Sequence, residues 1–192
     1  VVDDIKDVPK DKPILLRAHG SKRNVWKQAE DRQMNIVDAT CPLVHEIHNE
    51  VKKLHEDGRQ IIVIGDHGHD EVVAIADQVK NTIIISSIDE AKSLKKFKKA
   101  GVVSQSTQMI ENVQSIINIL MTKVFDLHFV NTICYPTKRN HEQIKALAVT
   151  HDVMIIIGSF TSANSKRLTE LSKQRNQQTY QVTCSKDLDE SW

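Results

Sequence analysis

This sequence predicts an α/β fold on parallel sheets, and three observations carry that expectation. Short apolar runs alternate with stretches of helical periodicity along the whole chain. The longest runs, 61–64 and 154–157, are far too short to span a bilayer and read as buried strands. The chain also repeats itself: the stretches that follow Cys41 and Cys134 carry the same elements at the same offsets. Strands that alternate with helices imply βαβ crossovers, and therefore parallel sheets covered on both faces.

Taken in order, Ile14-Leu15-Leu16 reads as a strand that leads to Ala18-His19-Gly20. A short helix over 25–30 and a strand over 35–40 then reach Cys41. Beyond it Val44, Ile47, Val51 and Leu54 are spaced three, four and three, the stripe of an amphipathic helix. The strand 61–64 ends at Gly65, and Asp66-His67-Gly68-His69-Asp70-Glu71 opens a helix through Val73 and Ala76. A strand over 82–85, a lysine-rich helix over 89–99 and a strand over 101–104 follow. That strand delivers Gln105-Ser106-Thr107 to a helix with Met109, Val113, Ile116, Ile117 and Leu120 on one face. A last strand, 126–133, reaches Cys134.

The second copy follows the first. Ile144, Leu147 and Ala148 mark its helix, and the strand 154–157 ends at Gly158. Ser159-Phe160-Thr161-Ser162-Ala163-Asn164 opens a helix with Leu168 and Leu171, and a strand over 180–182 follows. Gly65 and Gly158 lie at one offset from their cysteines (65 − 41 = 158 − 134 = 24), and so do His69 and Ser162 (69 − 41 = 162 − 134 = 28). Glu71 then corresponds to Asn164. The start of the chain resembles the end of such a unit. Three α/β units are therefore expected: the end of a first over 1–40, a complete second over 41–133, and a truncated third over 134–192. In parallel α/β sheets ligands meet the loops at the carboxyl ends of the strands, and the polar residues named above all fall there.

Composition narrows the function. A net charge of +1 gives no electrostatic case for nucleic acid or an anionic membrane, and 4% aromatics offers few stacking platforms for bases. The chain does not open with Met, and its first ten residues lack the pattern of a signal peptide, so it is expected to begin inside a longer protein. Three scattered cysteines argue against a disulfide framework and for a reducing compartment, the cytoplasm, unless an organelle-targeting segment has been lost. A lone Cys is usually a small buried hydrophobe, which suits Cys184 in its strand-like context. Cys41 and Cys134 instead stand at strand-to-helix junctions, where thiolates could hold an iron–sulfur cluster.

Here the sequence resembles the 4-hydroxy-3-methylbut-2-enyl diphosphate reductase family. Asp38-Ala39-Thr40-Cys41-Pro42-Leu43-Val44 is similar to the signature around its second cluster cysteine, and Thr132-Ile133-Cys134 to its third. Ala18-His19-Gly20 resembles its A-H-G motif, His69-Asp70-Glu71 its H-P-E motif, Gln105-Ser106-Thr107 its Q-T-T motif and Ser162-Ala163-Asn164-Ser165 its S-S-N-S motif. The motifs occur in the family's order over all 192 residues.

The resemblance implies a pseudo-threefold trefoil of parallel-sheet α/β units around a central [4Fe–4S] cluster, only part of it present in this chain. It implies reductive dehydroxylation of 4-hydroxy-3-methylbut-2-enyl diphosphate to isopentenyl and dimethylallyl diphosphate, the last step of the methylerythritol phosphate pathway. It also implies an electron donor such as ferredoxin or flavodoxin. By motif position Cys41 and Cys134 are cluster ligands. His19, His69, Ser162 and Asn164 bind the diphosphate. Glu71 delivers protons, and Ser106 and Thr107 support that relay. The family's first cysteine motif has no counterpart here, so the chain is expected to be truncated at both ends and inactive alone.

Some positions depart from the family's pattern. Asp70 stands where Pro is usual, which either loosens the loop or adds a charge to it. Ser106 replaces a Thr, Ala163 replaces a hydroxyl residue, and Pro136 and Asn140 also differ. Two rival readings remain. His67 and His69 superficially suggest a metal-dependent hydrolase, although Asp70 falls one position early for an H-x-H-x-D motif. In that comparison His45, His48, His55 and His67 read as solvated loop or helix-face residues. A non-catalytic phosphate-binding α/β module would explain the loops but not the matched cysteines.

Overall fold

The structure is a computed structural model that describes Val2 and residues 4–192. Val1 and Asp3, which fall in the expected first unit, lie outside the described residues. Eight strands and seven α-helices alternate among the described residues, and every strand pairing is parallel. The α/β expectation with parallel sheets is therefore met. By contacts the chain divides after Thr132, and the second compact unit runs Ile133–Trp192.

In the first unit β1 (Ile14–Leu16) and β2 (Ile36–Asp38) form a two-stranded sheet around α1 (Arg23–Asp31). The small core beneath it contains Ile5, Ile14, Leu16, Ala29 and Met34. A four-stranded sheet follows in the order β4-β3-β5-β6, from β3 (Gln60–Ile64), β4 (Ile83–Ile85), β5 (Phe97–Ser104) and β6 (Val124–Phe129). Its helices are α2 (Pro42–Glu56), α3 (Asp70–Ala76), α4 (Ile88–Ser93) and α5 (Ile110–Leu120). Ile47, Val51 and Leu54 of α2 pack with Ile61 and Val63 of β3 and with Val103 of β5. The β3 run is buried almost throughout, as a central parallel strand covered on both faces should be.

Gly101 is needed where α2 crosses β5. A Cβ there would meet Leu54 Cβ at 2.9 Å, so only glycine lets the helix lie this close to the sheet.

The second unit holds α6 (Tyr135–Thr150), β7 (Met154–Ile157), α7 (Ala163–Lys173) and β8 (Thr179–Val182). β7 and β8 pair in register from Met154 with Thr179 to Ile157 with Val182. No helix of the described residues is long and apolar enough to cross a membrane.

Three boundaries differ from the sequence reading by more than two residues. The lysine-rich helix stops at Ser93, because the Lys123 ammonium takes the carbonyls of Lys92 and Leu94 at 2.6 Å each and closes its end. The strand expected to begin at 101 begins instead at Phe97. Its first residues pair with β6 before β3 arrives at Ala100, and backbone pairing overrides the weak preference of Lys98 and Lys99. β6 ends at Phe129 rather than running to 133. Past it the Thr132 hydroxyl takes the Ser104 N–H at 2.8 Å, so a side chain replaces the ladder there.

Candidate functional site

In the first unit four loops leave the carboxyl ends of β1, β2, β3 and β5, and each carries a residue singled out by sequence. The turn after β1 closes with Gly20 N–H donating to Arg17 O at 3.1 Å, and Gly20 sits at φ +83°, a conformation glycine adopts without strain. The turn projects His19. The Cys41 N–H donates to Ala18 O at 3.0 Å, so the turn after β1 and the start of α2 are joined by backbone.

Cys41 is the N-cap of α2, with Pro42 in the helix's first positions, where a missing N–H costs nothing. Its own side chain makes no capping bond, and the thiol is half-buried.

His69 is the N-cap of α3. Its Nδ1 accepts the Glu71 N–H at 3.2 Å, which leaves the proton of a neutral ring on Nε2. The His19 and His69 rings meet edge to face with centroids 5.6 Å apart.

Glu71 lies on the first turn of α3 and is only 2% exposed. One carboxylate oxygen accepts the Ser106 N–H at 2.6 Å and the other accepts the Ser106 hydroxyl at 2.9 Å. The two loops are tied again by the buried Gln105, whose carbonyl takes the Asp66 N–H at 3.1 Å and whose amide donates to Thr107 Oγ1 at 3.2 Å. Gly65 makes this approach possible, since a Cβ there would lie 2.5 Å from Val72 and 3.1 Å from Gln105. His19, His69, Glu71 and Ser106 thus come together in one region, with Thr107 held through Gln105.

In the second unit Cys134 is the N-cap of α6, with Pro136 in the helix's first turn, and its sulfur lies 2.9 Å from Thr137 Oγ1. Ser162 is the N-cap of α7 and accepts the Ser165 N–H at 3.3 Å. Asn164, one residue into that helix, has its side-chain oxygen buried with no hydrogen-bond partner. Cys41 with His69 and Cys134 with Ser162 therefore occupy the same structural place, a helix N-cap, at each end of the 28-residue offset. The glycines match as well: Gly65 and Gly158 each donate to the last residue of the neighbouring strand, Ile85 and Val182, at 2.9 Å.

Other expectations need correction. Cys184 is exposed just past β8 rather than buried in it. Asp187 takes the N–H groups of Thr183 and Cys184 at 2.7 and 3.2 Å and turns the chain away from the sheet. His48, read as solvated, is 7% exposed. It falls between Ile47 and Val51 on the apolar stripe of α2 and packs under Gly20, where a Cβ would meet its ring at 2.9 Å. Burial holds its imidazole far below the ordinary range, at about 4, and the neighbouring His45 and Lys52 add to the effect against a weaker opposing pull from Asp38.

The two histidines of the 66–71 loop also separate. His67 Nε2 lies 2.8 Å from Glu90, while His69 serves α3 and His19. Among the described residues no three His, Cys, Asp or Glu side chains gather as a metal site. Asp70, which departs from the family's Pro, pairs with Arg17 at 2.9 Å, a link that nothing in the sequence signalled.

Comparison with known proteins places the chain in a family. The family model described as LytB protein matches residues 1–192. The 4-hydroxy-3-methylbut-2-enyl diphosphate reductase of Geobacter sulfurreducens is 37% identical over 180 residues, which is 93% of this chain and 64% of that protein. The protein of the same name from Campylobacter concisus is 34% identical over 192 residues, all of this chain and 69% of the relative. A solved structure of the E-1-hydroxy-2-methyl-but-2-enyl-4-diphosphate reductase from Plasmodium falciparum superposes with a TM-score of 0.93 at 28% identity, over 99% of this chain and 61% of that one. The chain thus spans just under two thirds of the Geobacter relative and of the Plasmodium structure. With its motif-bearing loops at the carboxyl ends of parallel strands and the family model matched from end to end, the chain belongs to the LytB protein family.

Proposed function

We propose that the protein to which this chain belongs reduces 4-hydroxy-3-methylbut-2-enyl diphosphate to isopentenyl and dimethylallyl diphosphate, taking two electrons and two protons and releasing water. The observation that carries the reading is Glu71, a carboxylate that is 2% exposed, held on both oxygens by Ser106, and set one helical step from His69. A site that only bound a diphosphate would gain nothing from a buried acid beside the anion, whereas proton delivery requires one. The named relatives support the same chemistry.

His19 and His69 bind the diphosphate in this reading. The Nε2–H of His69 is the donor, because Nδ1 is spent on the helix. Ser162 and Asn164 contribute a hydroxyl and an amide from the third of three α/β units, 1–40, 41–133 and 134–192. The Asn164 side-chain oxygen is buried with no hydrogen-bond partner, and the amide NH2 beside it is the donor this reading assigns to the diphosphate. Glu71 supplies protons to the departing hydroxyl and to the allyl carbon. The Ser106 hydroxyl, which donates to Glu71, keeps lone pairs free to accept a proton in turn, and Thr107 extends that relay.

The cysteines fit an iron–sulfur group. Cys41 and Cys134 are free, half-buried and set at matched helix N-caps, where a helix end favours a thiolate. They would provide two thiolates for a [4Fe–4S] cluster, which when bound would carry the electrons and act as a Lewis acid on the substrate hydroxyl. A protein such as ferredoxin or flavodoxin would supply the electrons. Three unpaired cysteines suit a reducing compartment, and the cytoplasm is the one we propose.

The test is anaerobic turnover by the full-length protein with a one-electron donor and 4-hydroxy-3-methylbut-2-enyl diphosphate. The expected products are the two isoprenoid diphosphates. Release of phosphate with neither isoprenoid diphosphate formed would instead favour a hydrolase.

A further inference from the structure

We propose that Arg17 and Asp70 are positioning residues that hold the His19 and His69 imidazoles at the spacing a diphosphate needs. The proposal rests on the diphosphate reading of those two rings. Arg17 directly follows β1, two residues before His19, and Asp70 directly follows His69. Arg17 Nη1 lies 2.9 Å from the Asp70 carboxylate. The pair therefore spans the same gap as the two rings, whose centroids are 5.6 Å apart.

That gap lies between elements that share no ladder. β1 belongs to the two-stranded sheet, while α3 follows β3 of the four-stranded one. The His19 turn is bonded to its own side through Arg17 O and Cys41 N–H, and His69 is bonded to its own helix. At the far end of α3 the Asp77 carboxylate takes the Arg23 N–H at 2.6 Å. Arg17 and Asp70 make the corresponding tie at the near end, so α3 is fastened to the β1 layer at both ends.

Charge makes the role testable by sign. A carboxylate at position 70 repels a diphosphate bound by His69, so removing it should improve anion binding if only the local field matters. If Asp70 works by fixing the loops, removing it should weaken binding. The side chains are 61% and 51% exposed, which limits such a pair to a modest and salt-screened contribution.

The experiment uses the full-length protein as wild type, Arg17→Ala, Asp70→Ala, the double variant and Asp70→Glu. KM and kcat with 4-hydroxy-3-methylbut-2-enyl diphosphate are measured beside the affinity for inorganic pyrophosphate. Each alanine variant should raise KM and the pyrophosphate Kd about three- to fivefold, the ceiling an exposed pair sets, with kcat within about twofold. The double variant should be no worse than the worse single one, because both remove one interaction. Asp70→Glu should recover most of the loss. An Asp70→Ala variant with unchanged or tighter binding overturns the proposal. So does additive loss in the double variant, which would make Arg17 a ligand in its own right.

Failure of the diphosphate reading looks different: wild type and His69→Ala would bind pyrophosphate equally poorly. The pair is then judged by the nuclear Overhauser contact between the His19 and His69 rings. It should be present in wild type and lost in Arg17→Ala and Asp70→Ala. Its survival in both would overturn the positioning role.

Discussion

The Glu71 carboxylate grips Ser106 twice, taking its backbone N–H at 2.6 Å and its hydroxyl at 2.9 Å. This links the loop after β3 to the loop after β5 through a nearly buried acid. Both Ser106 donors point at carboxylate oxygens, so the side chain is held in one orientation before substrate arrives.

Replacing Glu71 with Gln should therefore leave the fold and substrate binding near wild type while turnover falls by ~100-fold or more, the scale of a lost general acid. Ser106→Ala keeps the backbone bond and should cost less, about tenfold. Steady-state kinetics on the full-length protein separate the two effects. A Glu71→Gln variant that turns over near the wild-type rate would end the proton-donor role and leave the acid as a structural link.

His69 combines two tasks that substitution can divide. It caps α3 through Nδ1 and is assigned to the diphosphate through Nε2. Asn is a good N-cap but cannot reach as an imidazole does. His69→Asn should retain thermal stability and lose pyrophosphate affinity by about tenfold, the scale of one lost donor. His69→Ala should lose both, with about 1 kcal/mol of stability removed with the cap. Equal affinity in wild type and His69→Asn would detach this residue from the anion.

His48 gives the fold a pH dependence. Its imidazole sits at about 4 in the folded protein and near its ordinary value when unfolded, chiefly because burial disfavours the charged form. Between those values the unfolded chain binds the additional proton. Stability should therefore be complete above about pH 6.5, decline as pH falls toward 4, and change no further from this group below that. The full drop is on the order of 3 kcal/mol. Urea unfolding at several pH values should show the slope in wild type and a shallower one in His48→Gln. Identical slopes would mean that His48 is solvated after all.

Much of this was legible in the sequence, and the unread parts have physical causes. The repeat offset located four helix N-caps, at Cys41, His69, Cys134 and Ser162, because glycine and apolar patterning fix where a strand must hand over to a helix. His48 was readable in principle: with Val44, Ile47 and Val51 it completes the i, i+3, i+4, i+7 stripe of α2, and residue type obscured the period. The start of β5 at Phe97 was not readable, because Lys98 and Lys99 take strand geometry only through pairing with β6. Nor was the Arg17–Asp70 tie, which joins residues 53 positions apart (70 − 17) through tertiary placement alone. Cys184 misled because its neighbours Val182 and Thr183 look alike inside a strand and just beyond its end.

Iron and acid-labile sulfide content of the full-length protein, purified without oxygen, tests the central claim most directly. Wild type and Cys184→Ala should both carry iron and sulfide in equal amounts, about four of each per chain. Cys41→Ala and Cys134→Ala should each lose most of both while retaining their helical and strand content. Undiminished iron and sulfide in Cys41→Ala and Cys134→Ala, or zinc in place of iron in the wild type, would contradict the account.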